Sequence, residues 1–142
     1  MPHHTAQNAA DPVETLIDRS TVHRACYPIP LIATSYDITV VGGLARVVQT
    51  RLFRNQELRS IEAALTFPVP LHAVLYSLEA RVDGQMLKAV AKPNDAARDT
   101  YEDAVDRGNT AVLHEELLRG VHMLSVAHVG RRLLFAISNE LG

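Results

Sequence analysis

The sequence has no tryptophan, one cysteine, and aromatic residues at only 5%. With Cys26 as the sole thiol, a folded monomer forms no internal disulfide and no zinc ligand set can be built from cysteines, so stability must come from packing. Cys26 falls in a linker and is expected as a free thiol. The scarcity of aromatics removes the stacking platform on which single-stranded nucleic acids are held. Charge of one sign is also lacking: 14 Lys and Arg face 16 Asp and Glu, a formal balance of -2. The arginines run from Arg19 to Arg132 without a polybasic block, so no field directs the chain to nucleic acid or to an anionic membrane. No apolar run approaches the roughly 20 residues of a membrane-spanning helix. Met1 to Asp18 lack the cationic start and apolar stretch of a secretory signal, and a soluble chain is expected. A length of 142 residues fits one domain.

The opening MPHHTAQNAA is polar and small, with little apolar surface to offset ordering entropy, and residues 1–30 read as a flexible tail and linker. His3 and His4 have no third ligand beside them, so no metal site is expected there. Within DPVETLIDR, Asp11 as N-cap, Pro12 at the first helical position and Glu14 three residues after the cap predict a short helical turn. Pro28 and Pro30 then enforce extended backbone. The folded domain is expected over 31–138, with 139–142 as a tail.

From Thr34 the apolar pattern takes period two. A two-residue turn at Gly42-Gly43 sets Val40 opposite Ala45 and Ile38 opposite Val47, with Tyr36 on the same face. A type I′ turn at Asp83-Gly84 aligns Tyr76, Leu78, Ala80 and Val82 with Ala91, Ala89 and Leu87 as a core face, and pairs Glu79 with Lys88 on the reverse. IEAALTF, TAVLHEEL, VHMLSVAHV and RRLLFAI are further strand candidates. The expectation is a mainly β domain, an antiparallel β-sandwich or distorted barrel of about eight strands with one short helix, about 95–107, packed on it.

That helix has Asn94 as N-cap, Asp95 and Asp99 near its positive end, Arg107 in its last turn and Gly108 to stop it. Ala97, Tyr101, Ala104 and Val105 form one apolar stripe able to lie against a sheet or to close an open end of a sandwich. Arg98 with Glu102, and Asp103 with Arg107, have i,i+4 spacing. A catalytic reading would enlist Glu102, Asp103 and Tyr101 as acid, base and phenol. Adjacent helical positions point about a third of a turn apart, so Glu102 and Asp103 do not converge on one substrate, and the helix is expected to be structural.

Other chemistry finds no context. His114, His122 and His128 lie on predicted strands and are expected as surface or half-buried histidines, since a metal needs at least three converging ligands. DRSTV at Asp18 to Val22 has Val22 where a von Willebrand A metal loop has its second serine. Ser20, Ser35, Ser60, Ser77, Ser125 and Ser138 lack a nucleophile elbow, and Gly42-Gly43 leads into Leu44 with no phosphate-binding lysine. The expectation is no catalytic, cofactor-binding or metal residue.

Several runs in order carry a resemblance. FRNQELRSIEAALTFPVP, ARDTYEDAVDRGNTAVL and VHMLSV resemble the vault protein inter-alpha-trypsin (VIT) domain over about Ile32 to Val129. Phe53 and Asn55 match its aromatic-then-Asn strand end. Glu62, Ala63, Phe67, Pro68 and Pro70 match its Glu-Ala and Phe-Pro-x-Pro strand, and Ala97, Tyr101, Ala104 and Gly108 match its helix signature. Leu65 departs from a common aromatic. The resemblance implies a β-sandwich-like, noncatalytic module that mediates protein interactions, normally ahead of a von Willebrand A domain. It is expected to be of bacterial type, and the resemblance permits an extracytoplasmic location. The run after Val129, GRRLLFAISNELG, departs from the family's closing strand, which leaves an open sheet edge as the expectation and homo-oligomeric pairing through the C-terminal region as its consequence. The alternative function is a small apolar ligand held between the sheets by Tyr36, Tyr76 and Phe67.

Overall fold

The computed structural model describes residues 16–19, 27–89 and 94–142. Asp11, Pro12, Glu14, Cys26, His3, His4 and Ala91 therefore lie outside the described residues. In chain order the elements are β1 (Leu16–Asp18), β2 (Tyr27–Pro28), β3 (Leu31–Val41), β4 (Leu44–Arg54), β5 (Ile61–Pro68), β6 (Ala73–Val82), β7 (Gln85–Lys88), α1 (Asn94–Asp106), β8 (Ala111–Leu118), β9 (Val121–Val129) and β10 (Arg132–Leu141). They form two five-stranded antiparallel sheets, one in the order β2-β1-β5-β9-β8 and the other β3-β4-β10-β6-β7. Among the described residues the fold is a sandwich with one helix, the first of the two expected architectures, and not a closed barrel. α1 is not long and apolar enough to cross a membrane.

Period-two apolar residues make the core between the sheets. Leu16, Ala63, Leu65, Phe67, Leu124 and Val126 of one sheet face Phe53, Leu78, Ala80, Leu133, Phe135 and Ile137 of the other. Phe53 and Phe135 meet edge to face with centroids 6.0 Å apart, a favoured geometry of the ring quadrupoles. Both expected hairpin registers form: Val40 pairs with Ala45 and Ile38 with Val47, while Ala80 pairs with Leu87 and Glu79 with Lys88. The turns suit their residues, because Gly42, Gly43, Asp83 and Gly84 all have positive φ.

Four sequence expectations change. Leu16 to Asp18 are a strand paired with β5, not part of a helical turn, because Leu16 is fully buried in the core. Local capping signals yield there to tertiary burial. Asn139 to Leu141 belong to β10 and pair with both β4 and β6, so the expected tail is sheet. β10 is central, with β4 and β6 on its two sides, so the C-terminal run is not the open sheet edge that was expected. Finally, a bulge opposite Ser138/Asn139 shifts the register of β6. Leu78 stays in the core but Tyr76 turns outward, where Arg46 lies 5.1 Å from its ring centroid.

The chain passes between sheets at Gly130-Arg131, between β9 and β10, and two polar side chains hold that crossing. Buried Asn55 shares its amide hydrogens among the carbonyls of Arg59 (2.8 Å), Val129 (3.0 Å) and Gly130 (2.9 Å), and its Oδ1 accepts from the Glu57 N–H at 2.9 Å. From the β6–β7 turn, the Asp83 carboxylate accepts the N–H groups of Gly130, Arg131 and Arg132 at 2.8, 2.8 and 2.9 Å. A Cβ on Gly130 would stand 2.8 Å from Asp83 Oδ2. Burial pushes the Asp83 carboxyl up, but those three N–H donors and the nearby Arg131 charge outweigh it and hold the group below its ordinary range.

A carboxyl depressed in the folded state stabilises above its unfolded pKa, near 3.9, and loses that contribution as pH falls through the folded value. Acid unfolding of wild type should therefore steepen below about pH 4, and Asp83→Asn should flatten that limb when the two are followed by circular dichroism. Asn55→Ala, which leaves three carbonyls short of a donor, should cost about 2–3 kcal/mol in urea unfolding.

Candidate functional site

The helix packs on the outer face of the β5–β9–β8 sheet and does not close an end of the sandwich. Tyr101 is buried with Leu113 and Ala127, and Ala97, Val105 and Ala111 pack around them. Ala104 is half-buried at the edge of this cluster. The helix ends as Gly108 requires: at φ +73° it donates its N–H to the Val105 carbonyl, and Asn109 donates to Ala104. These are the two bonds of a Schellman cap.

Beneath the helix is a cavity of about 430 Å³ lined by Arg19, Glu62, Arg98, Tyr101, Glu115 and Met123, among others. Four distant segments build its polar floor. Glu62 Oε1 accepts from the Tyr101 phenol at 2.9 Å and from Arg19 at 3.2 Å, and Arg19 also donates to Ser125 Oγ at 2.9 Å. Arg98 reaches across to Glu115 on β8 and not to Glu102, its expected partner along the helix. Burial first, and then the negative charge of Glu62, push the Tyr101 phenol far above its ordinary pKa, so it serves as a fixed donor. Glu102 and Asp103 are exposed on the helix. Of the acid, base and phenol considered from sequence, Glu102 and Tyr101 both line this cavity and Asp103 does not, while Glu62 and Glu115 each face an arginine.

The strands bring two of the three histidines together. His114 Nε2 lies 2.8 Å from His122 Nδ1, with ring centroids 5.1 Å apart and planes 21° from parallel. A centroid spacing that large at so short an N···N distance means edge-to-edge rings sharing one proton. His122 also stacks on Phe67, centroids 5.7 Å apart. His128 is elsewhere, its Nε2 3.0 Å from the Val105 carbonyl. The pocket expected from Tyr36, Tyr76 and Phe67 does not form, since Phe67 is core, Tyr76 faces outward and Tyr36 is 60% exposed on β3.

A different surface was not expected to be open. β3 is an edge strand exposed along all eleven residues. Tyr36, Ile38 and Val40 share the inner face of their sheet with core strands, yet stand 60, 60 and 67% exposed because the other sheet does not extend over them. Val41 and Leu44 are exposed on the reverse, where they line a second cavity with Thr39 and Arg46.

Comparison with known proteins follows the same segments. The Vault protein inter-alpha-trypsin domain family model matches residues 31–133. The human protein "von Willebrand factor A domain-containing protein 5A" is 35% identical over 95 residues, 67% of this chain and 12% of that protein, and its rat counterpart is 34% identical over 88 residues, 62% and 11%. The mouse "Protein mono-ADP-ribosyltransferase PARP4" is 29% identical over 105 residues, 74% of this chain and 5% of that protein. The chain therefore spans about an eighth or less of the length of these relatives.

Tyr101→Phe should keep the helix packed while removing the phenol's bond to Glu62, a loss of about 1 kcal/mol in urea unfolding. Gly108→Ala should cost about 1–2 kcal/mol by forcing a Cβ into the left-handed region. A Tyr101→Phe variant as stable as wild type would show that the phenol's bond to Glu62 contributes nothing to holding this floor.

Proposed function

The chain belongs to the Vault protein inter-alpha-trypsin domain family, and from that premise we propose that it is a noncatalytic interaction module of a longer, von Willebrand A-containing polypeptide, docking by strand addition at β3. The observation that carries this reading is the β3 edge. Natural sheets guard their edges with charge, proline, short strands or a covering element. β3 runs for eleven residues with Asp37 as its one charge and no proline, and apolar side chains stand exposed on both of its faces.

A second copy of the chain suits that edge. In antiparallel pairing about a two-fold axis, an axis at Asp37 would set two carboxylates directly opposite, which is unfavourable. An axis at Tyr36 or Ile38 sets Asp37 against Ser35 or Thr39 and keeps like faces together. Leu31, Ile32, Tyr36, Ile38, Val40, Val41 and Leu44, each at 48–71% exposure, together offer on the order of 600–700 Å² per copy, close to the roughly 800 Å² per partner of a standard interface. Two features support the absence of catalysis: Glu62 and Glu115 are each neutralised by an arginine, and Asp103 does not join Glu102 and Tyr101 at the cavity.

Sedimentation velocity over a concentration series tests this. Wild type should show reversible dimerisation, and Ile38→Lys should weaken it at least about tenfold by burying a charge at the seam, with thermal stability unchanged. Met86→Lys, on the opposite edge of the same sheet, should leave it intact. A wild-type monomer at all concentrations, or a dimer indifferent to Ile38→Lys and lost with Met86→Lys, would overturn docking at β3.

A further inference from the structure

We propose that the His114–His122 pair is an acid-sensitive latch that holds the tip of the β8–β9 hairpin closed over one margin of the sandwich. The two rings stand on neighbouring strands, and His114 Nε2 meets His122 Nδ1 at 2.8 Å. At that distance one nitrogen donates a hydrogen and the other accepts it, so one of the two facing nitrogens must be bare. A first added proton can go to an outer nitrogen of the pair and leave this bond intact. A second sets two N–H groups, each on a cationic ring, against one another, and the contact becomes repulsive.

The surroundings make that second proton costly. His122 stacks on Phe67, a core residue, and His114 lines a cavity of about 370 Å³ with Leu75 and Leu78 of the other sheet, so the pair sits at the margin between the sheets. Burial first, and then the charge of His122, hold the His114 ring below its ordinary range, while Glu116 and Glu115 on its own strand act the other way without overcoming them. Across the cavity the other sheet presents Lys88, a further cation, and Tyr76. Elsewhere on β9 and β5, His128 bonds to the Val105 carbonyl and Glu62 to the Tyr101 phenol, and Arg119 stands exposed at the hairpin tip. A histidine depressed in the folded state stabilises above its unfolded pKa, near 6.5, and that contribution is lost as pH falls from there through the folded value. Among the described residues β8 is the edge strand of its sheet, and its tip is tied down by the Val69 N–H bond to the Gly120 carbonyl (2.8 Å) and a long 3.3 Å bond from Gly120 to Glu116. The helix packs on Ala111 and Leu113, towards the other end of β8. Opening is therefore confined to the tip and uncovers Phe67.

Amide hydrogen exchange of the full chain at about pH 7.5 and about pH 5, each corrected for the intrinsic exchange rate, tests the latch. Protection over residues 114–122 should fall at least about tenfold at the lower pH, because the open tip takes up a proton that the closed one resists, while β4 and β10 keep theirs. In histidine nitrogen spectra the pair should titrate in two separated steps. His114→Gln, which leaves a single ionisable ring, should remove the pH dependence, and His128→Gln should leave it as in wild type. Equal protection of the wild-type tip at both pH values, a loss that persists in His114→Gln, or two rings that titrate together as independent imidazoles would overturn it.

Discussion

Asn55 and Asp83 fix where the chain leaves β9 for β10, one of its passages between the sheets, and the central strand of the second sheet depends on that point. A crossing at Gly130-Arg131 presents several backbone groups at once with no ladder to satisfy them. Asn55 takes the carbonyls of Val129 and Gly130 while Asp83 takes the N–H groups of Gly130 to Arg132, so the segment is gripped on both its donor and its acceptor sides. With the crossing fixed, β10 enters its sheet in register between β4 and β6 and places Leu133, Phe135 and Ile137 in the core. Polar groups set the position; apolar burial supplies the energy.

The helix illustrates how an acidic segment can be architectural. Its stripe covers the outer face of one sheet, and what remains between helix and strands is a floor of neutralised charge. Arg19 joins β1 to this floor through Glu62, so one carboxylate ties the start of the described chain, a central strand and the helix together. The same economy is visible at the β8–β9 end, where imidazoles that share a proton are held against an aromatic wall.

What the sequence disclosed follows from the range of the forces involved. Gly42-Gly43 and Asp83-Gly84 are local turn signals, and the registers they imply, including Glu79 against Lys88, are the registers found. Gly108 likewise announced its cap. By contrast Leu16 followed a good capping sequence but is claimed by the core, and Tyr76 fitted an alternation broken by a bulge whose cause lies across the ladder at Ser138/Asn139. Asn55 was visible as a family motif and Asp83 as a turn residue, but their grip on a segment some 50 to 75 positions away was not. His114 and His122 could be placed on strands, and only the bulged register at Glu116/Leu118 showed that they meet.

The close approach at Gly130 ties two distant positions into one evolutionary unit. Because the carboxylate stands where a side chain there would need room, alanine at 130 would have to displace the acid at 83 and so disturb its three amide bonds.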